Sequence, residues 1–187
     1  MIDSLCDRAG GEGIAVVGLY CDFLSQEQST INMLGAILKQ LVSRVGMMEH
    51  IRRAFQKAKK EFGGRGLRLP DLVEILRGTI ASLKRVYICI DALDESVPEH
   101  RQELLESLRE IVRVSPNTRI FLTGRPHIDD EIVRCFGNAV RIPVSPTEDD
   151  IKSYLKKRLD SDTDPYAMDG ELRADIMSIV PAKTSGM

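Results

Sequence analysis

The chain has 187 residues, 43% of them hydrophobic and 29% charged, and its formal net charge is −2. This length suits one domain with a sizeable core and part of a second, and the small charge predicts neither nucleic acid nor an anionic membrane as a partner. Four scattered cysteines without a CxxC pair, no signal-peptide pattern and no bilayer-length apolar run predict a cytoplasmic protein with reduced thiols and no cysteine or histidine metal centre.

The first predicted elements are a strand and two helices. An apolar run at 14–23 predicts a buried strand. A helix is predicted over 25–45 because apolar residues recur at three- and four-residue steps, and Ser25 and Gln28 have capping-box spacing at its start. A second helix is predicted over 48–62, and its basic face has two interpretations, a nucleic-acid patch or a solvated surface. No aromatic residues interleave those charges, which favours the solvated surface.

The middle of the chain predicts a loop, a helix and a second strand. The GGRG stretch at 63–66 follows a helix rather than a strand, so we predict a loop and not a phosphate-binding turn. Pro70 suits the first position of a helix that ends at Leu83. The uncharged run VYICI that precedes Asp91 is typical of a buried parallel strand.

The alternation of helices and strands continues to the end of the chain. A helix is predicted over 98–114, with Ser96 and Glu99 at capping-box spacing. The further predicted elements are a strand at 119–123, a short helix at 129–136, a strand at 139–144, an amphipathic helix at 147–159, a polar linker at 160–170 and a final helix ending near Val180. This alternation predicts an α/β fold with a parallel sheet, helices on both faces and right-handed crossovers.

Polar residues follow three of the predicted strands, where ligands bind in such sheets. They are Asp22, the run 91-DALDE-95 and the run 123-TGRP-126. A carboxylate at a strand end suits Mg²⁺, and a nearby acid or arginine suits phosphoryl transfer, in which positioning and charge neutralisation dominate. Helix capping is the competing interpretation of the acids that precede the 98–114 helix. Capping does not explain Asp91, because burial of a charge at the end of an apolar run is costly.

Three runs carry a resemblance to a known family: 19-LYCDFLSQEQSTINMLGAILKQL-41, 87-YICIDALDE-95 and 119-RIFLTGRP-126. Together they resemble the NACHT domain of STAND-type P-loop NTPases, and more narrowly the fungal proteins with a nephrocystin-type N-terminal NTPase module. The resemblance implies a P-loop NTPase-like three-layer sandwich, an NTPase core over 1–146 and the start of a helical subdomain over 147–187. It also implies a signalling switch in which ATP drives oligomerisation and ADP holds the closed state.

The resemblance assigns roles to five residues. Asp91 is implied to be the Walker B aspartate, which holds Mg²⁺ through water. Asp94 and Glu95 are implied to be the acidic pair that activates the attacking water. Arg125 is implied to be the sensor arginine, and Thr123 at the same strand end is the accompanying nucleotide-binding residue. The implied cofactors are therefore Mg²⁺ and ATP or ADP.

One motif of the resembled family is missing from the sequence. No lysine follows a glycine, so the Walker A pattern GxxxxGK[ST] does not occur. Three hypotheses follow. The chain is an NTPase-fold fragment without its first strand and without activity of its own; or it is a regulatory or scaffold module that associates with itself or with full-length NACHT proteins through an open sheet edge; or the true protein starts upstream.

Overall fold

A computed structural model describes residues 13–23, 28–46, 49–61, 67–161 and 169–184. The chain divides into two compact units, with the boundary between Ala139 and Val140. The GGRG stretch, Ser25 and most of the polar linker lie outside the described residues. No helix among the described residues is long and apolar enough to cross a membrane.

The first unit contains a parallel sheet with the strand order β1-β2-β3. In chain order its elements are β1 (Ile14–Tyr20), α1 (Thr30–Val45), α2 (Glu49–Glu61), α3 (Leu69–Ala81), β2 (Arg85–Asp91), a 3₁₀ turn (Leu93–Glu95), α4 (Pro98–Val114), β3 (Thr118–Leu122), a second 3₁₀ turn (Pro126–Ile128) and α5 (Asp129–Cys135). The register pairs Gly18 with Cys89 and Cys89 with Phe121, so the C-terminal ends of the three strands lie side by side.

The core lies against one face of this sheet. Every second strand residue contributes, including Val17, Ile88 and Ile90, and helices α1, α3 and α4 supply the facing leucines and isoleucines. Burying side chains of this size contributes about 1.5–3 kcal/mol each, which makes this face the main source of stability. On the opposite face Val16 and Cys89 are buried. Helices over that second face stay a prediction.

Local signals at several helix ends differ from expectation. Helix α1 begins at Thr30 with Ser29 as its N-cap, because the Ser29 hydroxyl accepts from the Asn32 N–H at 3.3 Å. The expected capping box at Ser96 and Glu99 does not form, since Val97 is the N-cap of α4 without a side-chain bond. Capping therefore does not account for the acids before α4.

The bounds of α3 and β1 differ from the predicted ones by only a few residues. Pro70 occupies the second position of α3, which begins one residue earlier and ends at Ala81 rather than Leu83. The first strand ends at Tyr20, so Asp22 lies two residues beyond it.

The strand expected at 139–144 is wrong. These residues form no regular structure, and the side chains of Val140, Ile142 and Val144 are all exposed. An alternating apolar pattern produces a strand only when a neighbouring strand offers its backbone groups for pairing. No described strand pairs with this segment.

The second unit contains two described helices, α6 (Glu148–Asp160) and α7 (Gly170–Thr184), which contact each other. Helix α6 starts with a capping box, in which Thr147 and Asp150 exchange side-chain and backbone hydrogen bonds. Arg173 of α7 forms an ion pair with Asp160 at the end of α6.

Candidate functional site at the carboxyl ends of the strands

The ends of β2 and β3 are tied together by backbone hydrogen bonds beyond the regular strands. The Thr123 N–H donates to the Ile90 carbonyl at 2.9 Å, and the Leu93 N–H donates to the Thr123 carbonyl at 2.9 Å. On the other side of β2, the Cys21 N–H donates to the Asp91 carbonyl at 3.0 Å. The three strand ends therefore form one surface, as expected for parallel strands.

Asp91 and Thr123 are in direct contact on this surface. The Thr123 hydroxyl donates to Asp91 Oδ1 and accepts from the Ala92 N–H at 3.0 Å. Ala92 has φ 53° and ψ 44°, a left-handed conformation that is costly for a residue with a Cβ. This strained turn sends the chain away from the strand immediately after Asp91 and leaves that carboxylate half-buried at the end of the sheet.

Asp94 holds the loop that follows β3. Its Oδ1 accepts from the Arg125 N–H at 3.2 Å, and its Oδ2 lies 3.5 Å from Arg125 Nε. The Asp94 side chain is only 6% exposed, whereas that of Arg125 is 74% exposed. Gly124, which precedes Arg125, packs closely here, because a Cβ at this position would lie 2.6 Å from Ile128 Cδ1. Asp94 is therefore a buried carboxylate that fixes the backbone beside an exposed guanidinium.

Glu95 and Asp22 face the end of β1. Glu95 Oε2 accepts from the Phe23 N–H at 3.4 Å. The Asp22 N–H donates to the Gln28 side chain at 3.1 Å, so its backbone belongs to the edge of β1. Phe23 is 81% exposed and lies beside Glu95 at the mouth of this surface.

The electrostatic field of the surface is negative, and a neighbouring cysteine reports it. The pKa of the Cys21 thiol is raised to about 11, first by burial and then by the charges of Glu95, Asp91 and Asp94. A negative field of this kind attracts a cation. Within the described part of the chain, however, no group of three or more histidine, cysteine or acidic residues could enclose a metal ion.

Sequence reasoning missed Arg101, which supports this surface from α4. Its side chain is 6% exposed and forms two hydrogen bonds to Glu131 of α5, at 2.8 and 2.9 Å, and a third to the Ser96 carbonyl at 2.8 Å. The Arg101 hydrogen bond lowers the pKa of Glu131, and the same bond raises the pKa of Arg101. The available signal was a charge on the apolar stripe of α4, three residues before Leu104.

These features define an α/β domain with a P-loop NTPase-like fold. The sequence pattern of the family described as Nephrocystin 3, N-terminal, matches residues 1–125, and the chain belongs to that family. A search of curated proteins found no match. Among solved structures, the chain is similar to the Aeropyrum pernix ORC1 protein in complex with DNA, with a TM-score of 0.55 and 18% identity. The similarity covers 99% of this chain but 44% of that protein, and it concerns the fold.

Proposed function

We propose that the chain carries the metal-side and sensor-side half of the nucleotide site in a NACHT-type ATP-dependent switch of the STAND class, of the fungal nephrocystin-like kind and acting in the cytoplasm. The observation that supports this most is the contact between Asp91, at the end of β2, and Thr123, at the end of β3. This contact brings a carboxylate and a hydroxyl to the C-terminal ends of the strands, where ligands of parallel sheets bind. The exposed Arg125 lies two residues after Thr123.

The residues at this edge fit a Mg²⁺–nucleotide complex held through water. Only one oxygen of Asp91 bonds to Thr123, and within the described residues its Oδ2 makes no hydrogen bond. When water and phosphate oxygens supply most of its ligands, Mg²⁺ commonly takes only one or two carboxylates from the protein. Bound there, the ion would neutralise phosphate charge. Arg125 would contact the terminal phosphate, which its exposure allows.

The geometry favours different roles for the two following acids. Both oxygens of Asp94 are engaged by Arg125, so we assign Asp94 the positioning of that arginine rather than activation of water. Among the described residues, the Glu95 carboxylate accepts one hydrogen bond, from the Phe23 N–H, which leaves it the better candidate for orienting a water molecule.

The main phosphate donors of such a site are not among these 187 residues, which lack GxxxxGK[ST]. Backbone N–H groups and a lysine at the phosphates provide most of the preorganised positive charge that phosphoryl transfer needs. We therefore expect the chain alone to show negligible turnover of MgATP. Robust hydrolysis that disappears in Asp91→Ala would contradict this expectation.

Paramagnetic NMR tests the half-site independently of turnover. With MnATP in place of MgATP, the amide signals of Ala92, Thr123 and Arg125 should broaden, and Asp91→Asn should abolish the broadening. Glu110→Gln is the matched control, because Glu110 lies far from the strand ends that carry Asp91. It pairs with Arg77 near the C-terminal end of α4, and α4 leads into the N-terminal end of β3. Broadening that is equal in Asp91→Asn and the wild type would refute the proposed metal site.

A second candidate function is a non-catalytic regulatory or scaffold module that associates with full-length NACHT proteins. The observation that favours it is the position of β3, which is an edge strand in the described sheet. An unpaired strand edge is a template for another chain. Co-purification with a full-length NACHT protein, unchanged by Asp91→Asn, would support this function over nucleotide binding. Loss of the association on nucleotide removal would count against it.

A further inference from the structure

Arg101 of α4 joins the two segments that carry the candidate site. Its Nη1 donates to the Ser96 carbonyl at 2.8 Å, directly after the turn that ends at Glu95. Its Nε and Nη2 donate to the two carboxylate oxygens of Glu131 in α5, at 2.8 and 2.9 Å. Helix α5 follows the segment after β3, which contains Arg125. One buried guanidinium therefore bonds to the segment after β2 and to the helix after β3 at the same time.

A short path of contacts leads from Glu131 to Arg125. Helix α5 begins at Asp129, immediately after Ile128. The Ile128 side chain is fully buried, and its N–H donates to the Arg125 carbonyl at 3.3 Å. Ile128 also packs closely against Gly124, the residue before Arg125. Because close-packed interiors transmit displacement, a shift of α5 would move the Arg125 backbone.

The path from Arg101 to Glu95 is shorter. The carbonyl that Arg101 binds belongs to Ser96, the residue after Glu95. Ser96 is 5% exposed, and its hydroxyl and N–H both donate to the Leu93 carbonyl, at 2.6 and 3.2 Å. Ser96 is therefore held by Leu93 from one side and by Arg101 from the other, and the backbone of Glu95 lies between these anchored residues.

We propose that Arg101 is a positioning residue for the candidate nucleotide site, and that it fixes Glu95 and Arg125 relative to each other. The inference rests on the function proposed above, in which Glu95 orients water and Arg125 contacts phosphate, but its first test requires no nucleotide. The hydrogen bonds of the guanidinium go to Ser96 and Glu131, so Arg101 acts through these neighbours and not on the reacting groups themselves.

The chemistry of arginine suits this role. A planar guanidinium offers its donors in a fixed fork, so the two bonds to Glu131 and the third bond to Ser96 hold both partners in one geometry. The hydrogen bond to Glu131 raises the pKa of Arg101 more than burial lowers it, and the charge of Asp94 raises it further. Arg101 therefore stays ionised at this buried position. Lysine would keep the charge but offers a compact ammonium without the fork.

Backbone relaxation by NMR in the ligand-free 187-residue chain tests the proposal. In the wild type, the amide order parameters of Glu95 and Arg125 should be about 0.85, as in rigid backbone. In Arg101→Lys both should fall towards about 0.6, because lysine cannot hold the two segments at once. Arg77→Lys is the matched control, since Arg77 also pairs with a glutamate, the exposed Glu110, and it should leave both values unchanged. Unchanged values in a folded Arg101→Lys would overturn the proposal.

A second variant, Glu131→Ala, separates the two connections. It removes the acceptors on α5 but leaves the bond from Arg101 to the Ser96 carbonyl. The order parameter of Arg125 should therefore fall, while that of Glu95 should stay near its wild-type value. A general loss of stability would not produce this one-sided pattern, and the variant also decides the question if Arg101→Lys does not fold. Unchanged order at Arg125, or equal losses at Arg125 and Glu95, would overturn the proposal.

Titration of the same variants with MnATP distinguishes failure of this inference from failure of the proposed function. When the wild type shows broadening, the ratio of the broadening at Arg125 to that at Ala92, which follows Asp91, should fall at least about twofold in Arg101→Lys. An unchanged ratio would overturn the inference and leave the proposed function intact. No broadening in the wild type would refute the proposed function, and the order parameters would then decide by themselves whether Arg101 positions the two segments.

Discussion

The two edges of the sheet are treated differently by the fold. At β1 neutral amides bond several of the outward backbone groups: Gln40 bonds both groups of Gly18, and Gln28 bonds the Tyr20 carbonyl and the Asp22 N–H. At β3, the outward groups of Ile120 and Leu122 have no hydrogen-bond partner among the described residues.

The surroundings of the two edges differ as well. Two ion pairs stabilise the segments that follow β3: Asp94 pairs with Arg125, and Arg101 pairs with Glu131. Neutral hydrogen bonds hold β1 whatever the protonation of carboxylates, whereas the β3 side depends on ionised acids. The stability of the β3 side should therefore be the more sensitive to pH.

The largest effect is expected from breaking the charged fastening. Arg101→Met should lower the free energy of unfolding by about 2–4 kcal/mol, because it leaves Glu131 and the Ser96 carbonyl without their donor. The effect is below that of a fully buried pair since Glu131 is 29% exposed. Urea unfolding at neutral pH measures it. Adding Glu131→Gln to Arg101→Met should recover part of the lost stability. A loss below about 1 kcal/mol in Arg101→Met alone would show that the ion pair contributes little to stability.

The next largest loss of stability is expected from removing Gln40, which bonds Gly18 at the outer edge of β1. Gln40→Leu should cost about 2 kcal/mol, because the part-buried N–H and carbonyl of Gly18 lose their partner. The same variant should become prone to aggregation through the newly open edge. Gln28→Ala is the control for glutamine removal at an exposed position and should cost less than about 1 kcal/mol. Equal losses would mean that closure of the edge by Gln40 is not energetically distinct.

A smaller effect is expected from the glycine beside Asp94. Gly124→Ala should cost about 1–2 kcal/mol, because the added methyl group meets the fully buried Ile128. Gly35→Ala in α1 has nothing within 4 Å of its Cβ and should stabilise the protein by up to about 1 kcal/mol. Thermal unfolding of the two variants should therefore shift in opposite directions. Shifts in the same direction would contradict the close packing at Gly124.

The smallest effect is on the pH dependence of stability. The pKa of Glu131 is lowered from its ordinary value of 4.5 by the hydrogen bond from Arg101. A carboxyl group with a lowered pKa in the folded state contributes stability above its unfolded pKa, and this contribution is lost as pH falls through the folded value. The urea midpoint should therefore fall below about pH 4.5, and less steeply in Glu131→Gln. An unchanged slope in that variant would exclude Glu131 as the titrating group.

The candidate site shows how far local sequence signals reach. The apolar run before Asp91 predicted both the strand and the carboxylate at its end, and the parallel-sheet rule predicted that Thr123 and Arg125 would lie nearby. The contacts of Asp94 were not predictable, because its two interactions with Arg125 connect residues from different strand ends. Arg101 was missed because a single charge on an apolar stripe does not name its partner.

The sequence by itself determined the three parallel strands, most of the helices and the family, because these depend on the period and order of residues along the chain. Only the tertiary structure decided that 139–144 is not a strand and that Gln40 bonds both backbone groups of Gly18 at the outer edge of β1. The physical reason is that pairing is a property of two segments at once. Gln40 lies 22 residues from Gly18, and no local pattern encodes which backbone groups such a side chain will reach.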